Sequence, residues 1–111
     1  MALIFHLTYK DAWEAARPAG EYAAPSLAEE GFIHCSKDVP QLLKVAARLY
    51  PGETGLMVLD VDLEELKSPL KNEPSRSGEF YPHIYGMLNA DAVVRERALE
   101  VGADGLHFLA D

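Results

Sequence analysis

Residues 32–50 read FIHCSKDVPQLLKVAARLY, and two periodicities meet inside that run. From Phe32 to Ser36 the side chains alternate, Ile33 and Cys35 to one side and Phe32, His34 and Ser36 to the other, as successive residues of a strand do. From Val39 to Tyr50 the apolar residues Val39, Leu42, Leu43, Ala46, Leu49 and Tyr50 recur at helical spacing and form one stripe. Pro40 falls in the first turn, where a missing N–H is tolerated, and Pro51-Gly52 stops the helix. A short strand feeding the longest helix of the chain, with further short apolar runs on both sides, predicts an α+β fold. Its sheet is expected to be split and rich in antiparallel pairs, with flanking helices.

Toward the N-terminus, Gly31 closes a short helical turn opened by Pro25-Ser26, and Ser26 stands three residues before Glu29, the spacing of a capping box. Pro18 and Gly20 end an earlier helix for which Asp11 is the expected cap. Before it, Leu3 to Thr8 alternates, with Leu3, Phe5 and Leu7 expected to form the wholly apolar face and Ile4, His6 and Thr8 the mixed one. Toward the C-terminus, Leu56 to Val61 is the most apolar run and reads as a central strand, followed by a helical turn from Asp62 to Leu66. Ser68 to Tyr81, punctuated by Pro69, Pro74 and Gly78 with Pro82 just beyond, reads as one long loop, a length usually functional or disordered. Ile84-Tyr85 reads as a short strand and Leu106 to Leu109 as another, while Val93 to Val101 fits either strand or helix.

The 111 residues suit one domain, residues 1–111. Eighteen acidic residues against ten basic ones give a formal charge of −8, which argues against a broad grip on nucleic acid, since such a grip needs a basic footprint. The single cysteine, Cys35, excludes a disulfide within the chain and a four-cysteine zinc site, and reads as a small buried core residue. Met1 to Lys10 lacks the basic start and long apolar run of a secretory signal, and no segment approaches the roughly 20 apolar residues of a membrane span. The expectation is a cytoplasmic protein with no membrane partner.

Three strand segments share a pattern: IFHLT, FIHCS and PHIYG each carry a histidine with a hydroxyl residue two positions later on the same face. The pairs are His6 with Thr8, His34 with Ser36, and His83 with Tyr85. A lone histidine on a strand is more often a hydrogen-bonded structural residue than a catalyst. Three together are costly to bury for packing alone, because every ring nitrogen needs a partner. They are therefore expected to line one cleft, with residues 68–81 along its rim. His34→Ala is expected to abolish ligand binding and leave the fold nearly intact. No two of the three stand close in sequence, unlike the strongest histidine–zinc signatures, so no metal is expected. His107 reads as structural or exposed.

The run IFHLT, GEYAAPSLAEEGFIHCS, VAARLY, LMVLDVDLEEL, NEPSRSGEFYPHIYGMLNADAV and ADGLHFL, covering nearly the whole chain, resembles domain of unknown function 952, a family of small bacterial proteins. More distantly, a histidine in the first strand, then EGFIHCS, an alanine-rich helix and an apolar strand is similar to the RNA 2′-phosphotransferases, which have the ADP-ribosyltransferase fold. That resemblance puts His6 and His34 on the two histidine positions of those enzymes and implies an NAD or ADP-ribose pocket. The basic N-terminal module that those enzymes use for RNA has no counterpart here.

Two functions follow from the resemblance. In ADP-ribosyl transfer, His6, His34 and His83 would make the site with Glu73, which stabilises the developing cation or acts as a base. Thr8, Ser36, Phe80 and Tyr85 would contact the dinucleotide and Arg76 would pair with its pyrophosphate. Glu79 is the competing carboxylate. The other function is a non-catalytic module that captures a nucleotide-like small molecule or metabolite, or a partner protein, in the same pocket.

Overall fold

Leu56 to Asp62 is buried at all seven positions, which requires a strand paired on both edges and packed on both faces. In the computed structural model, which describes residues 2–110, it is the fourth strand. The chain runs β1 (Leu3–Tyr9), α1 (Lys10–Ala16), β2 (Glu21–Tyr22), α2 (Pro25–Glu30), β3 (Ile33–His34), α3 (Val39–Leu49), β4 (Leu56–Asp62), β5 (Leu70–Pro74), β6 (Phe80–Ile84), β7 (Leu88–Asn89), β8 (Val93–Val101) and β9 (His107–Leu109). The fold is α+β, and every strand pair is antiparallel.

One sheet has the order β1-β4-β8-β9, a second β3-β6-β5, and β2 pairs with β7. The first two meet at a bridge just past β3. Phe5 N–H donates to the Ser36 carbonyl (2.9 Å) and Ser36 N–H to the Phe5 carbonyl (2.7 Å), while Cys35 N–H still donates to Pro82 of β6 (3.0 Å). The segment from Ile33 to Ser36 thus passes from β6 to the free edge of β1 and joins the two sheets into one curled surface. This handover makes β1, β3 and β6, the three histidine strands, neighbours.

Two cores flank the larger sheet. Met57, Leu59 and Val61 of β4 face Ile4, Trp13, Tyr22, Ile33, Ile84 and Leu88. Leu56 and Val58 face Leu42 and Ala46 of α3, with Leu99. The faces of β1 therefore differ from expectation. Ile4, His6 and Thr8 are the buried set, and Leu3, Phe5 and Leu7 are only half-buried, because the short α3 covers its side incompletely.

The helix starts depart from the expected caps. Tyr9, not Asp11, precedes α1, and no side chain caps it; Asp11 lies in the first turn, where a negative charge suits the helix dipole. Ser26 and Glu29 form no capping box, since α2 begins at Pro25 behind Ala24. Gly31 does end α2, with φ of 90°. At α3, Asp38 is a true cap whose carboxylate accepts from Gln41 N–H at 2.8 Å, and the helix stops at Leu49, with Tyr50 as cap residue.

The expected loop over Ser68 to Tyr81 is mostly a β-hairpin, β5 with β6, registered from Leu70 opposite Ile84 to Pro74 opposite Phe80. Its prolines suit strands because of where they sit. Pro74 ends an edge strand, and Pro82 loses only a donor, its carbonyl still accepting from Cys35. Residues 93–101 are strand, with a bulge where Asp60 pairs with Arg95 and Val61 with Val93. Among the described residues no helix is long and apolar enough to cross a membrane.

Candidate functional site

Beside the Phe5–Ser36 bridge, a cleft of about 560 Å³ is lined by residues of β1, the β3 segment and the elements around them. His6 and Thr8 of β1, Ala24 to Ser26 at the start of α2, His34 of β3, Arg48 to Tyr50 at the end of α3, Ser75 and Arg76 of the hairpin turn, and His83 of β6 all line it. The three histidines thus reach one cleft, as strand alternation predicts, with the tip of the hairpin at its rim. Thr8 and Ser36 line it too. Glu73, Phe80 and Tyr85 do not: Phe80 is exposed on the hairpin, and the other two lie behind His83.

The histidines differ in state. His6 is buried, and both ring nitrogens are engaged: Nδ1 lies 2.6 Å from the His34 carbonyl and Nε2 3.2 Å from the Tyr22 hydroxyl. Burial pushes its pKa down to about 4, partly opposed by the bond to His34, so the ring is neutral at pH 7. A carbonyl only accepts, so Nδ1 carries the proton and Nε2 accepts from Tyr22. Tyr22 in turn accepts from Thr8 Oγ1 at 2.7 Å. Thr8, Tyr22 and His6 therefore form a one-way relay that ends on the main chain of His34 and fixes where that residue stands.

His34 and His83 are register partners on β3 and β6, and their rings meet edge to face with centroids 5.2 Å apart. The His34 side chain is about half exposed, and its Nε2 lies 2.9 Å from Glu30 Oε2, one helical turn earlier in the chain. The His83 side chain is mostly buried. Phe32 stacks on it (4.0 Å, 20°), and Nδ1 donates to Glu73 Oε1 at 2.8 Å. Tyr85 hydroxyl donates to the same oxygen, and these two bonds, Tyr85 first, hold the Glu73 carboxyl below the usual carboxylate range. The competing carboxylate, Glu79, is occupied elsewhere. It accepts from Gln41 Nε2 (3.0 Å) and Lys44 Nζ (3.1 Å) and ties the hairpin to α3.

The charges on the wall are uneven. Of the five arginines, Arg17 pairs with Glu96, and Arg95 and Arg97 with Asp60. Arg48 and Arg76, the two at the cleft, form no ion pair among the described residues. Among those residues no group of three or more His, Cys, Asp or Glu side chains is arranged to hold a metal ion.

Residues 7–96 match the family described as Protein of unknown function (DUF952). The chain belongs to that family. Its fold is similar to the crystal structure of protein CC0527 from Caulobacter crescentus, at 37% identity and a TM-score of 0.83, over 96% of this chain and 93% of that one. The solution NMR structure of CC0527 gives 36% identity and a TM-score of 0.81, over 96% and 91% of the two chains. No curated protein matches. The matched region of this DUF952 chain holds His34 and His83 with their carboxylates, and it begins one residue after His6.

Several site residues of this DUF952 member escape a reading of its sequence. Glu30 stands four residues before His34, but Gly31 breaks the helix between them and hides the pairing. Tyr22 sits on a two-residue strand without a local signal. Arg48 is on the polar side of α3, indistinguishable in sequence from a solvated charge.

Proposed function

We propose that the cleft binds an anionic, nucleotide-like ligand of the NAD or ADP-ribose class, and that the protein acts in ADP-ribosyl transfer. The observation that carries this reading is the convergence of Arg48 and Arg76, unpaired, on the same cleft as His34 and His83. The protein carries a formal charge of −8, so an anion is repelled by most of its surface and drawn to a local pair of guanidinium groups. A guanidinium fork matches phosphate oxygens in shape as well as charge. The cleft volume of about 560 Å³ suits a small molecule, and the exposed Tyr9 ring on its wall, edge-on to Tyr50, offers apolar surface to a base or nicotinamide. The distant resemblance of His6 and His34 to the two histidine positions of the RNA 2′-phosphotransferases points to the same ligand class.

The test is thermal shift and calorimetry with NAD, ADP-ribose and inorganic pyrophosphate. A ligand at a hundred times its dissociation constant stabilises the fold by about 2.7 kcal/mol. Arg48→Ala and Arg76→Ala should each weaken that binding about tenfold and flatten its dependence on salt. No shift with any of the three ligands would remove the reading.

His34→Ala supplies a second prediction. The side chain is half exposed, and the bond from His6 ends on the His34 carbonyl, which alanine keeps. Stability should change by less than about 0.5 kcal/mol, the usual range for a surface change. Affinity for the ligand found above should fall at least about tenfold, the loss expected for one good polar contact. A urea melt and a titration of the same variant check both halves. Unchanged affinity would remove His34 from the site.

One observation favours a second reading, a non-catalytic module for a nucleotide or metabolite. Neither Glu73 nor Glu79 is on the cleft wall, so neither touches a ligand bound there directly. Release of nicotinamide from NAD by the purified protein separates the two readings.

A further inference from the structure

We propose that His83 is the general base of this cleft and that Glu73 is its positioning residue, so the carboxylate acts through the imidazole and not on the ligand. The proposal rests on the NAD-type reading above and assigns that site its chemistry.

Three histidines reach the cleft, and their hydrogen bonds separate them. His6 has both nitrogens bound within the protein and serves to hold His34. His34 has Nε2 on Glu30, in a half-exposed pair that water loosens. His83 alone combines a fixed ring with an open nitrogen. Phe32 covers one face at 4.0 Å, the edge of His34 approaches at 5.2 Å, and Glu73 holds Nδ1 at 2.8 Å. A carboxylate only accepts, so Nδ1 carries the proton of the neutral ring and Nε2 carries the lone pair. Nε2 has no hydrogen-bond partner among the described residues, and His83 is part of the cleft wall, whereas Glu73 is not. Tyr85 holds the same Glu73 oxygen from the other side and keeps the carboxylate turned toward the ring. A carboxylate behind an imidazole on a cleft wall, with the other ring nitrogen unpartnered, is how a histidine is oriented to take a proton and stabilised once it has it.

Water or an acceptor hydroxyl attacks the anomeric carbon of the nicotinamide ribose. The O–H bond breaks and its proton passes to His83 Nε2. The oxygen forms the new bond to the anomeric carbon. The carbon–nitrogen bond breaks with its electron pair going to the nicotinamide nitrogen, so the cationic ring leaves neutral. The imidazolium faces the Glu73 carboxylate until solvent removes the proton.

The experiment combines three readouts on wild type, His83→Gln and Glu73→Gln. Long-range proton–nitrogen NMR of the free protein reads the tautomer of His83. Thermal shift with NAD reads binding, and single-turnover release of nicotinamide reads chemistry. Expected are the Nδ1–H tautomer in wild type and a shift toward Nε2–H in Glu73→Gln, whose amide can donate to Nδ1. Release should fall about 100-fold or more in His83→Gln, in the range for a lost general base. It should fall about tenfold in Glu73→Gln, with the NAD-dependent shift retained in both. An Nε2–H tautomer in wild type overturns the proposal without any ligand. Binding with release unchanged in His83→Gln overturns it and leaves the cleft reading standing, and binding without release in wild type overturns it in favour of the non-catalytic module. Absence of both binding and release overturns the NAD-type reading and this proposal together, even where the tautomer is as expected.

Discussion

Asp60→Ala should lower the stability of the fold by about 3–5 kcal/mol, the cost of breaking a buried ion pair from one side. The Asp60 side chain is 1% exposed in the middle of β4. Its two oxygens are divided between two arginines of β8: Arg97 donates to Oδ1 at 2.8 Å and Arg95 Nε to Oδ2 at 3.0 Å. The partners are unequal. Arg95 is more than half exposed and can turn to water, so Arg95→Ala should cost less than about 1 kcal/mol. Arg97 is mostly buried beside the Phe5 ring, and its Nε has no partner even with Asp60 present. Without the carboxylate that guanidinium is a buried charge with nothing opposite. Urea melts of the two variants decide it: a loss below about 1 kcal/mol for Asp60→Ala would mean that Arg97 finds water, and that the two strands do not depend on the pair.

How much of this was legible in the sequence depends on how strongly each segment repeats. α3 and β4 could be read directly, one from an apolar stripe at helical spacing and the other from an unbroken apolar run. The β5–β6 hairpin could not, because Pro74, Pro82 and Gly78 carry the signature of a loop. Only the strand order explains their place, on an edge or where one donor is dispensable, and a local pattern does not contain strand order. β8 was ambiguous for a related reason. Its Arg95 and Arg97 share a face that looks solvated in sequence, and Arg97 is buried there only because Asp60 is there to meet it.

The site shows the same division. Alternation placed each histidine on a face, and the fold brings all three to one cleft. Which strands are neighbours was set by the Phe5–Ser36 bridge, two hydrogen bonds between residues 31 apart, and nothing in either segment announces it. The same holds for the partners. Glu73 reaches His83 only because the hairpin folds back with Glu73 opposite Tyr81, which puts the carboxylate beside the next strand residue but one. Phe80 and Tyr85 are expected from the resemblance to contact the dinucleotide, and neither is on the cleft wall. The pleat turns Phe80 to solvent and commits the Tyr85 hydroxyl to Glu73.

Acidification from pH 7 to pH 4 should remove about 3 kcal/mol of stability through His6 alone. The ring titrates at about 4 in the fold against its ordinary 6.5, a difference worth that much by linkage. As pH falls through 6.5 the unfolded chain takes a proton on His6 while the folded one does not, so protons favour unfolding. The stability supplied by the neutral ring is complete above about 6.5, declines between 6.5 and 4, and is gone below about 4, where both states are protonated. The cause is structural. A second ring proton would sit against the Tyr22 hydroxyl, which now donates to Nε2, and would force Tyr22 and then Thr8 to reverse their bonds among buried groups. Glu73 and Glu79, whose carboxyls are also held low, add losses of the same sign at lower pH, so the His6 share needs its own control. His6→Gln keeps a polar side chain and cannot titrate. The difference in stability between wild type and His6→Gln, measured by urea melts at half-unit steps from pH 7.5 to pH 4, should fall steadily through that window. A difference that stays flat would mean that His6 is not held neutral by the fold, and that Thr8, Tyr22 and His6 do not form a one-way relay onto His34.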